Sequence, residues 1–99
     1  KIGILHDADT RLADAILDIA NEERDKNIKR NAPYGPEDGV THTLQEHAIA
    51  HGHLNVMLEI RNDLIATDDQ QNAMAKMIAK WIDQACIRLG VVGDVQCRA

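Results

Sequence analysis

Hydrophobic and polar positions recur with different periods along the chain, and each change of period marks a predicted element. Residues 2–5 form a short apolar run that ends at the polar segment 6–10. In that segment, Asp9 or Thr10 can accept a hydrogen bond from a free N–H of a first helical turn. The next apolar positions recur every three to four residues, as in a helix that buries one face: Leu12, Ile16, Ile19 and Ala20. This order predicts a strand, a polar turn and a helix, which is half of a βαβ unit.

A loop and two short elements are predicted in the middle of the chain. Residues 31–39 contain both prolines and two of the six glycines, which is typical of a loop. Thr43 and Glu46 have the spacing of a capping box, so a short helix is predicted from there to about residue 50. Residues 54–61 alternate between apolar and polar side chains, which predicts a strand. A weaker strand is expected at residues 27–30.

A long amphipathic helix is predicted next. Thr67 and Gln70 fit a second capping box, and an apolar stripe at helical spacing follows until Gly90. Residues 91–99 show no period and are predicted to be a loosely held tail. The resulting order, β-α-loop-α-β-α, indicates a mixed α/β fold. Two or three strands are too few for a self-sufficient sheet under these helices, so we expect further strands from outside the chain.

Composition and charge narrow the class of function. The 99 residues suit one small domain, with 44% hydrophobic residues but no Phe, one Tyr and one Trp. The chain has 11 basic and 16 acidic residues, a net charge of −5, and its basic cluster at 24–30 is interrupted by Asp25. Nucleic-acid binders concentrate positive charge instead. No stretch resembles a membrane span or a signal peptide, and Cys86 and Cys97 suggest no disulfide framework. We therefore expect a cytoplasmic protein that binds neither nucleic acid nor membranes.

Glu59 is the most informative candidate for chemistry. It lies in the predicted strand 54–61, flanked by apolar residues, and burying a carboxylate is costly unless it is paired or protonated. Arg61 lies two residues further on the same face and could pair with it, which would make both structural. The alternative is a carboxylate at the end of a central strand, where open α/β sheets bind ligands and where it could act as a general base.

Histidines and aspartates offer weaker candidates for metal binding. His42, His47, His51 and His53 lie close together, and His47 and His51 would share a helix face. The neighbouring residues match neither the HExxH motif nor its inverted form, so incidental surface histidines are the simpler interpretation. Asp7 and Asp9 could hold a metal, but helix capping accounts for one of them.

Four segments, in order, resemble one family: GILHDADTRLA at 3–13, NAPY at 31–34, TLQEH at 43–47 and LEIRNDLI at 58–65. The chain is similar over residues 1–90 to the C-terminal part of the predicted N-formylglutamate amidohydrolases. The strand around Glu59 more distantly resembles the last catalytic strand of the zinc carboxypeptidases. The resemblance implies the three-layer, mixed-sheet fold of these phosphorylase/hydrolase-like zinc enzymes.

By this resemblance the chain belongs to a zinc hydrolase that cleaves an N-formyl or N-acyl amino acid. Glu59 would be the general base, and His47 would contact the oxyanion or the substrate. Arg61 would clamp a substrate carboxylate or pair with Glu59. The resemblance also implies that Asn31 and Tyr34 line the loop over the site, although Tyr34 could be only a loop anchor. Arg11 matches a recurrent arginine that could be structural.

The departures from the family are equally informative. The family's zinc ligands lie upstream of the matched segments, and His42 stands where an aromatic residue is expected. We therefore expect residues 1–90 to be the C-terminal part of one catalytic domain, completed by the remainder of that domain and inactive alone. The alternative is a small, acidic, non-catalytic interaction module that docks through the apolar stripe of the helix at 74–89.

Overall fold

The computed structural model describes residues 2–23 and 28–90. Three strands form one sheet: β1 (Ile2–Leu5), β2 (Ile28–Arg30) and β3 (Met57–Ile60). The spatial order is β2-β1-β3, with β1 parallel to β2 and antiparallel to β3. The predicted mixed α/β class is therefore confirmed, including the weak strand near residue 28.

Within these described ranges, three helices accompany the sheet: α1 (Arg11–Glu22), α2 (His42–His47) and α3 (Asp68–Arg88). Single turns of 3₁₀ helix occur at Pro36–Asp38, Ile49–His51 and Asn62–Leu64. Helix α1 connects the parallel strands β1 and β2, which completes the βαβ unit. Within the described ranges no helix is long and apolar enough to cross a membrane. The predicted tail at 91–99 lies outside the described residues.

The core lies between one face of the sheet and the helices α1 and α3. Ile2 and Ile4 of β1 pack into this cluster with the apolar face of α1, and Leu58 and Ile60 of β3 border it. Ile4 is completely buried, and Trp81 of α3, the single tryptophan, is only 2% exposed. Strand side chains alternate between faces, so the residues between these apolar positions point to the opposite side of the sheet.

Polar contacts between the C-terminal end of α1 and the second half of α3 hold the two helices together. The Trp81 indole Nε1 donates to Glu23 Oε1 at 2.5 Å, and Lys80 Nζ lies 3.0 Å from Glu23 Oε2. Arg88 forms an ion pair with Glu22 at 2.6 Å. Hydrogen bonds from Trp81 and Lys80 lower the pKa of Glu23, and the bond from Arg88 lowers that of Glu22. Both carboxylates are therefore stabilised in the charged form that these contacts need.

The predicted capping boxes had different outcomes. The Thr67–Gln70 box is confirmed, because the Thr67 hydroxyl accepts from Gln70 N–H and Gln70 Oε1 accepts from Thr67 N–H. At the start of α1 the N-cap is Thr10, which makes no side-chain capping bond, whereas Asp9, one residue earlier, accepts from the Arg11 N–H through Oδ1. The box at Thr43 is wrong: α2 begins at His42, so Thr43 is inside the helix and Thr41 precedes it.

Strand β3 is shorter than its sequence pattern predicts. Alternation over residues 54–61 predicts eight residues of strand, but β3 pairs with β1 only from Met57 to Ile60. The other strand, β1, has just four residues, and its register with β3 ends where β1 ends. Leu54 and Val56 still pack against the core, so the predicted apolar face extends beyond the hydrogen-bonded segment.

Candidate functional site

Glu59 and Gly3 lie opposite each other on the sheet face that α1 and α3 do not cover. They are register partners in the β1–β3 pair, and Lys29 of β2 is the partner of Gly3 on its other side. A Cβ at Gly3 would lie 2.2 Å from the Ala32 carbonyl oxygen and 3.2 Å from the Glu59 Cβ. The loop that follows β2 therefore crosses directly over β1, and only a glycine leaves room for it.

A cleft of about 430 Å³ opens at this position. We call it the Glu59 cleft, and its main lining residues are Gly3, Lys29, Ala32, Pro33, Glu59 and Arg61. It combines one carboxylate with two cationic side chains on a partly apolar floor. A carboxylate can accept a proton from a bound water, and an ammonium or guanidinium group can bind an anionic ligand.

Of the two alternatives left open for Arg61 and Glu59, the structural ion pair is not formed. The Arg61 guanidinium instead binds Asp63, with Nε–Oδ1 at 2.5 Å and Nη2–Oδ2 at 2.8 Å. This bidentate contact lowers the pKa of Asp63 and raises that of Arg61. Over residues 2–23 and 28–90, no basic side chain lies within ion-pair distance of Glu59. The contact that would have made Glu59 a structural residue is thus absent from the described part.

A hydrogen-bond network surrounds His6 at the carboxyl ends of β1 and β2. The His6 N–H donates to Asn31 Oδ1 at 2.9 Å, and the Asn31 N–H donates to the Ile4 carbonyl at 3.0 Å. The His6 ring places Nδ1 2.8 Å from the Asp7 carbonyl and Nε2 3.0 Å from Arg30 Nη1. Because a carbonyl can only accept, Nδ1 carries the proton and Nε2 accepts from Arg30. His6 therefore fixes the start of the loop that covers Gly3.

Asp7 connects the same strand end to α2. Its Oδ2 accepts hydrogen bonds from the Thr41 hydroxyl and from Gln45 Nε2, the latter at 2.7 Å. These two bonds lower the pKa of Asp7. Thr41 is 1% exposed, so the contact lies against the body of the molecule. The carboxylate considered as a metal ligand thus acts here as an anchor for the beginning of α2.

The structure brings together some of the predicted site residues and separates others. Glu59 and Arg61 share the Glu59 cleft, and Asn31 begins the loop whose next two residues line it. Tyr34 lies on the same loop and is 48% exposed. His47, the exposed last residue of α2, does not line the cleft. Arg11 does not either: it pairs with Asp9 at 2.6 Å and donates to the Gly52 carbonyl at 3.3 Å.

The predicted histidine pair is not formed. Helix α2 ends at His47, and His51 belongs to the following 3₁₀ turn, so the two do not share a helix face. His51 and His53 are neighbours, with ring centroids 6.1 Å apart. Among the described residues, no group of three or more His, Cys, Asp or Glu side chains could hold a metal ion.

Several residues of the site were missed by sequence reasoning. Gly3 carried a usable signal, because a glycine inside an apolar strand often marks a close approach of another backbone segment. Lys29 could be placed only once β2 and its parallel register were known. Thr41 and Gln45 carried no signal, because their partner Asp7 is more than thirty residues away in the chain.

A solved structure supports the described architecture. The chain is similar to gene product Atu2144 from Agrobacterium tumefaciens, with a TM-score of 0.86 and 53% sequence identity. The match covers 91% of this chain and 35% of that chain, so the chain spans about a third of the length of this relative. No protein-family model and no curated protein matches the chain.

The anchor at Asp7 predicts a pH-dependent stability. Asp7→Asn should lower the free energy of unfolding by about 1–3 kcal/mol at pH 7, because two donors lose a charged acceptor. The native pKa of Asp7 is below its ordinary value, so its contribution is complete above that value and is lost as the pH falls through the native pKa. Urea unfolding followed by circular dichroism between pH 7 and pH 2 measures the difference.

The control for this prediction is Asp18→Asn, at an exposed position of α1, which should change stability by less than about 0.5 kcal/mol. The anchor role would be contradicted if the wild-type protein and Asp7→Asn had the same free energy of unfolding at pH 7. It would also be contradicted if the difference between them stayed constant down to pH 2.

The close approach at Gly3 predicts a local effect of a single methyl group. Gly3→Ala should displace Ala32 and its neighbours, because the new Cβ would overlap the Ala32 carbonyl oxygen. We expect a destabilisation of about 1–3 kcal/mol. Amide chemical shifts should change at residues 31–35 and remain nearly constant around Trp81. Equal changes in both regions, or none at the loop, would contradict this arrangement.

Proposed function

We propose that the chain is the C-terminal part of a zinc-dependent amidohydrolase that cleaves N-formylglutamate or a related N-acyl amino acid. The observation that carries this proposal is the position of Glu59. It lies in a cleft on the sheet face away from α1 and α3, and among the described residues no cation pairs with it. The resemblance of four ordered segments to that family supplies the reaction class.

Glu59 is the general base in this proposal. Its carboxylate takes a proton from the attacking water and passes it to the departing amine nitrogen when the amide C–N bond breaks. The half-buried position of Glu59 suits this role, because it is reachable from the cleft yet held by the β1–β3 pairing. A base held on a strand keeps a fixed distance to a substrate bound in the same cleft.

The charged rim of the cleft suits an anionic substrate. Lys29 and Arg61 both line it, and Arg61 can exchange part of its contact with the exposed Asp63 for a substrate carboxylate. The loop 31–34, which carries Asn31 and Tyr34, forms one wall and would close over the acyl group. Arg11 and His47 lie away from the cleft, so the oxyanion or substrate role proposed for His47 requires that α2 border the completed site.

The described residues do not themselves fit a zinc ion, because they contain no cluster of three metal-binding side chains. We therefore assign no step to the metal from this chain. In the proposal the zinc ligands come from the remainder of the catalytic domain, which agrees with a structural relative about three times as long as the matched region. The proposed location of the enzyme is the cytoplasm.

A second candidate is the non-catalytic interaction module. It is favoured by one observation, an apolar groove beside α3 lined by Met74, Ile78 and Ile82. A module of this kind would bind a partner there and would have no hydrolytic activity in any context. Metal analysis and a hydrolysis assay separate the two candidates.

Glu59→Gln tests the proposed base in a chimera in which residues 1–90 replace the matching third of the Agrobacterium gene product. Release of formate from N-formyl-L-glutamate should fall about 10²- to 10⁴-fold, because the amide cannot accept the proton. The zinc content should remain the same. The matched control is Glu46→Gln, at an exposed position on α2, which should leave turnover unchanged.

Full activity in Glu59→Gln would remove Glu59 as the base. A folded chimera that contains no zinc and releases no formate would remove the hydrolase proposal and favour the interaction module.

A further inference from the structure

We propose that the outer edge of β3, together with the apolar groove beside it, binds a β-strand from the remainder of the same protein, so that the sheet continues past β3. The groove, here called the β3–α3 groove, has a volume of about 650 Å³, and its apolar walls come from Ile60, Ile65, Met74, Ile78 and Ile82. This inference rests on the proposed function only in assuming a larger catalytic domain.

The backbone of β3 has one side available for another strand. In the described sheet, β3 is an edge strand whose pairing is to β1 alone. Alternate N–H and C=O groups of an antiparallel edge strand point away from its partner, and such an edge readily pairs with another strand. The side chains from Met57 to Ile60 are apolar except for Glu59, so no positive charge blocks the approach.

The opposite edge of the sheet is less suited to extension. Strand β2 has three residues, and two of them, Lys29 and Arg30, are exposed basic side chains. A short edge with charged residues is the usual way in which proteins discourage further strand pairing. The two edges therefore differ, and β3 is the one that is open.

Helix α3 carries apolar side chains toward the core and also along the β3–α3 groove. Its buried residues, Trp81, Ala85 and Cys86, face the core, and Met74 and Ile82 also pack against it. Ile78 lines the groove but is not among the residues packed against the core cluster. A strand added beside β3 would lie below this part of α3 and would cover Ile78. The free edge of β3 and the apolar groove can therefore be filled by one segment, an extended strand with apolar side chains.

The comparison with the solved structure indicates where this segment comes from. The Agrobacterium gene product shares the fold of this chain over a match that covers only 35% of its own length. Most of that protein is therefore available to extend the sheet within one polypeptide. A second copy of the present chain is the competing occupant, because two β3 edges could also pair about a twofold axis.

Ile78→Lys tests the proposal in two contexts, the 99-residue chain alone and the chimera with the Agrobacterium gene product. In the chimera, the ratio of folded to unfolded protein should fall about 100-fold, because an unpaired charge would be buried under the added strand. In the chain alone, where Ile78 lines an open groove, the ratio should change less than about 5-fold. Urea unfolding measures both.

The matched control is Ile87→Lys, which changes the same residue type on the same helix at a position that is 67% exposed and outside the groove. It should have little effect in either context. Hydrogen exchange gives a second measurement: the amides of β3 that do not bond to β1 should exchange rapidly in the chain alone and at least 100-fold more slowly in the chimera.

Equal effects of Ile78→Lys in the two contexts, or unprotected β3 amides in a folded chimera, would overturn the proposal. The proposal would also be overturned if the chain alone formed a dimer that Ile78→Lys dissociates while the chimera is unaffected. The occupant of the groove would then be a second copy of the chain. If the chimera does not fold, the same substitution at the aligned position of the intact Agrobacterium gene product replaces it. None of these readouts depends on zinc or hydrolysis, so the docking surface and the proposed function can fail separately.

Discussion

Alternation along the central strand β1 is the constraint on which the rest of the structure depends. Ile2 and Ile4 point into the core formed with α1 and α3, and Gly3 between them points to the opposite face. The core side carries large apolar groups, and at Gly3 the other side has no room for a side chain, because the Ala32 carbonyl lies over it. A shift of one residue in the β1 register would exchange the two faces and remove both arrangements at once.

Polar contacts at the carboxyl end of β1 hold the neighbouring segments in place. His6 and Asp7, the next two residues, hold the loop after β2 through Asn31 and the start of α2 through Thr41. A single short strand therefore positions the core, the wall of the Glu59 cleft and the helix that carries His47. Glu59 enters the cleft from the neighbouring strand β3, whose register is set by the same pairing. The sheet thus positions both Glu59 and the loop residues Ala32 and Pro33 that line the cleft.

Local patterns in the sequence were sufficient to predict most of the elements. The apolar run of β1, the periodicity of α1 and the capping box at Thr67 each depend on neighbouring residues, and each is confirmed. What the sequence left undecided or missed had two different causes. Arg61 has a carboxylate two residues away on either side, and sequence spacing alone could not show that it binds Asp63 rather than Glu59. Thr41 bonds to the distant Asp7, a contact that no local spacing indicates.

The position of the metal is the most direct test of the proposal that this chain is the base-carrying third of a larger zinc hydrolase. Anomalous diffraction at the zinc absorption edge, on crystals of the chimera with the Agrobacterium gene product, would locate the ion. The proposal predicts one strong peak on the sheet face that carries Glu59, beside the cleft formed with Gly3 and Arg61. A fully folded chimera with no zinc peak, or with zinc only among His47, His51 and His53, would contradict it.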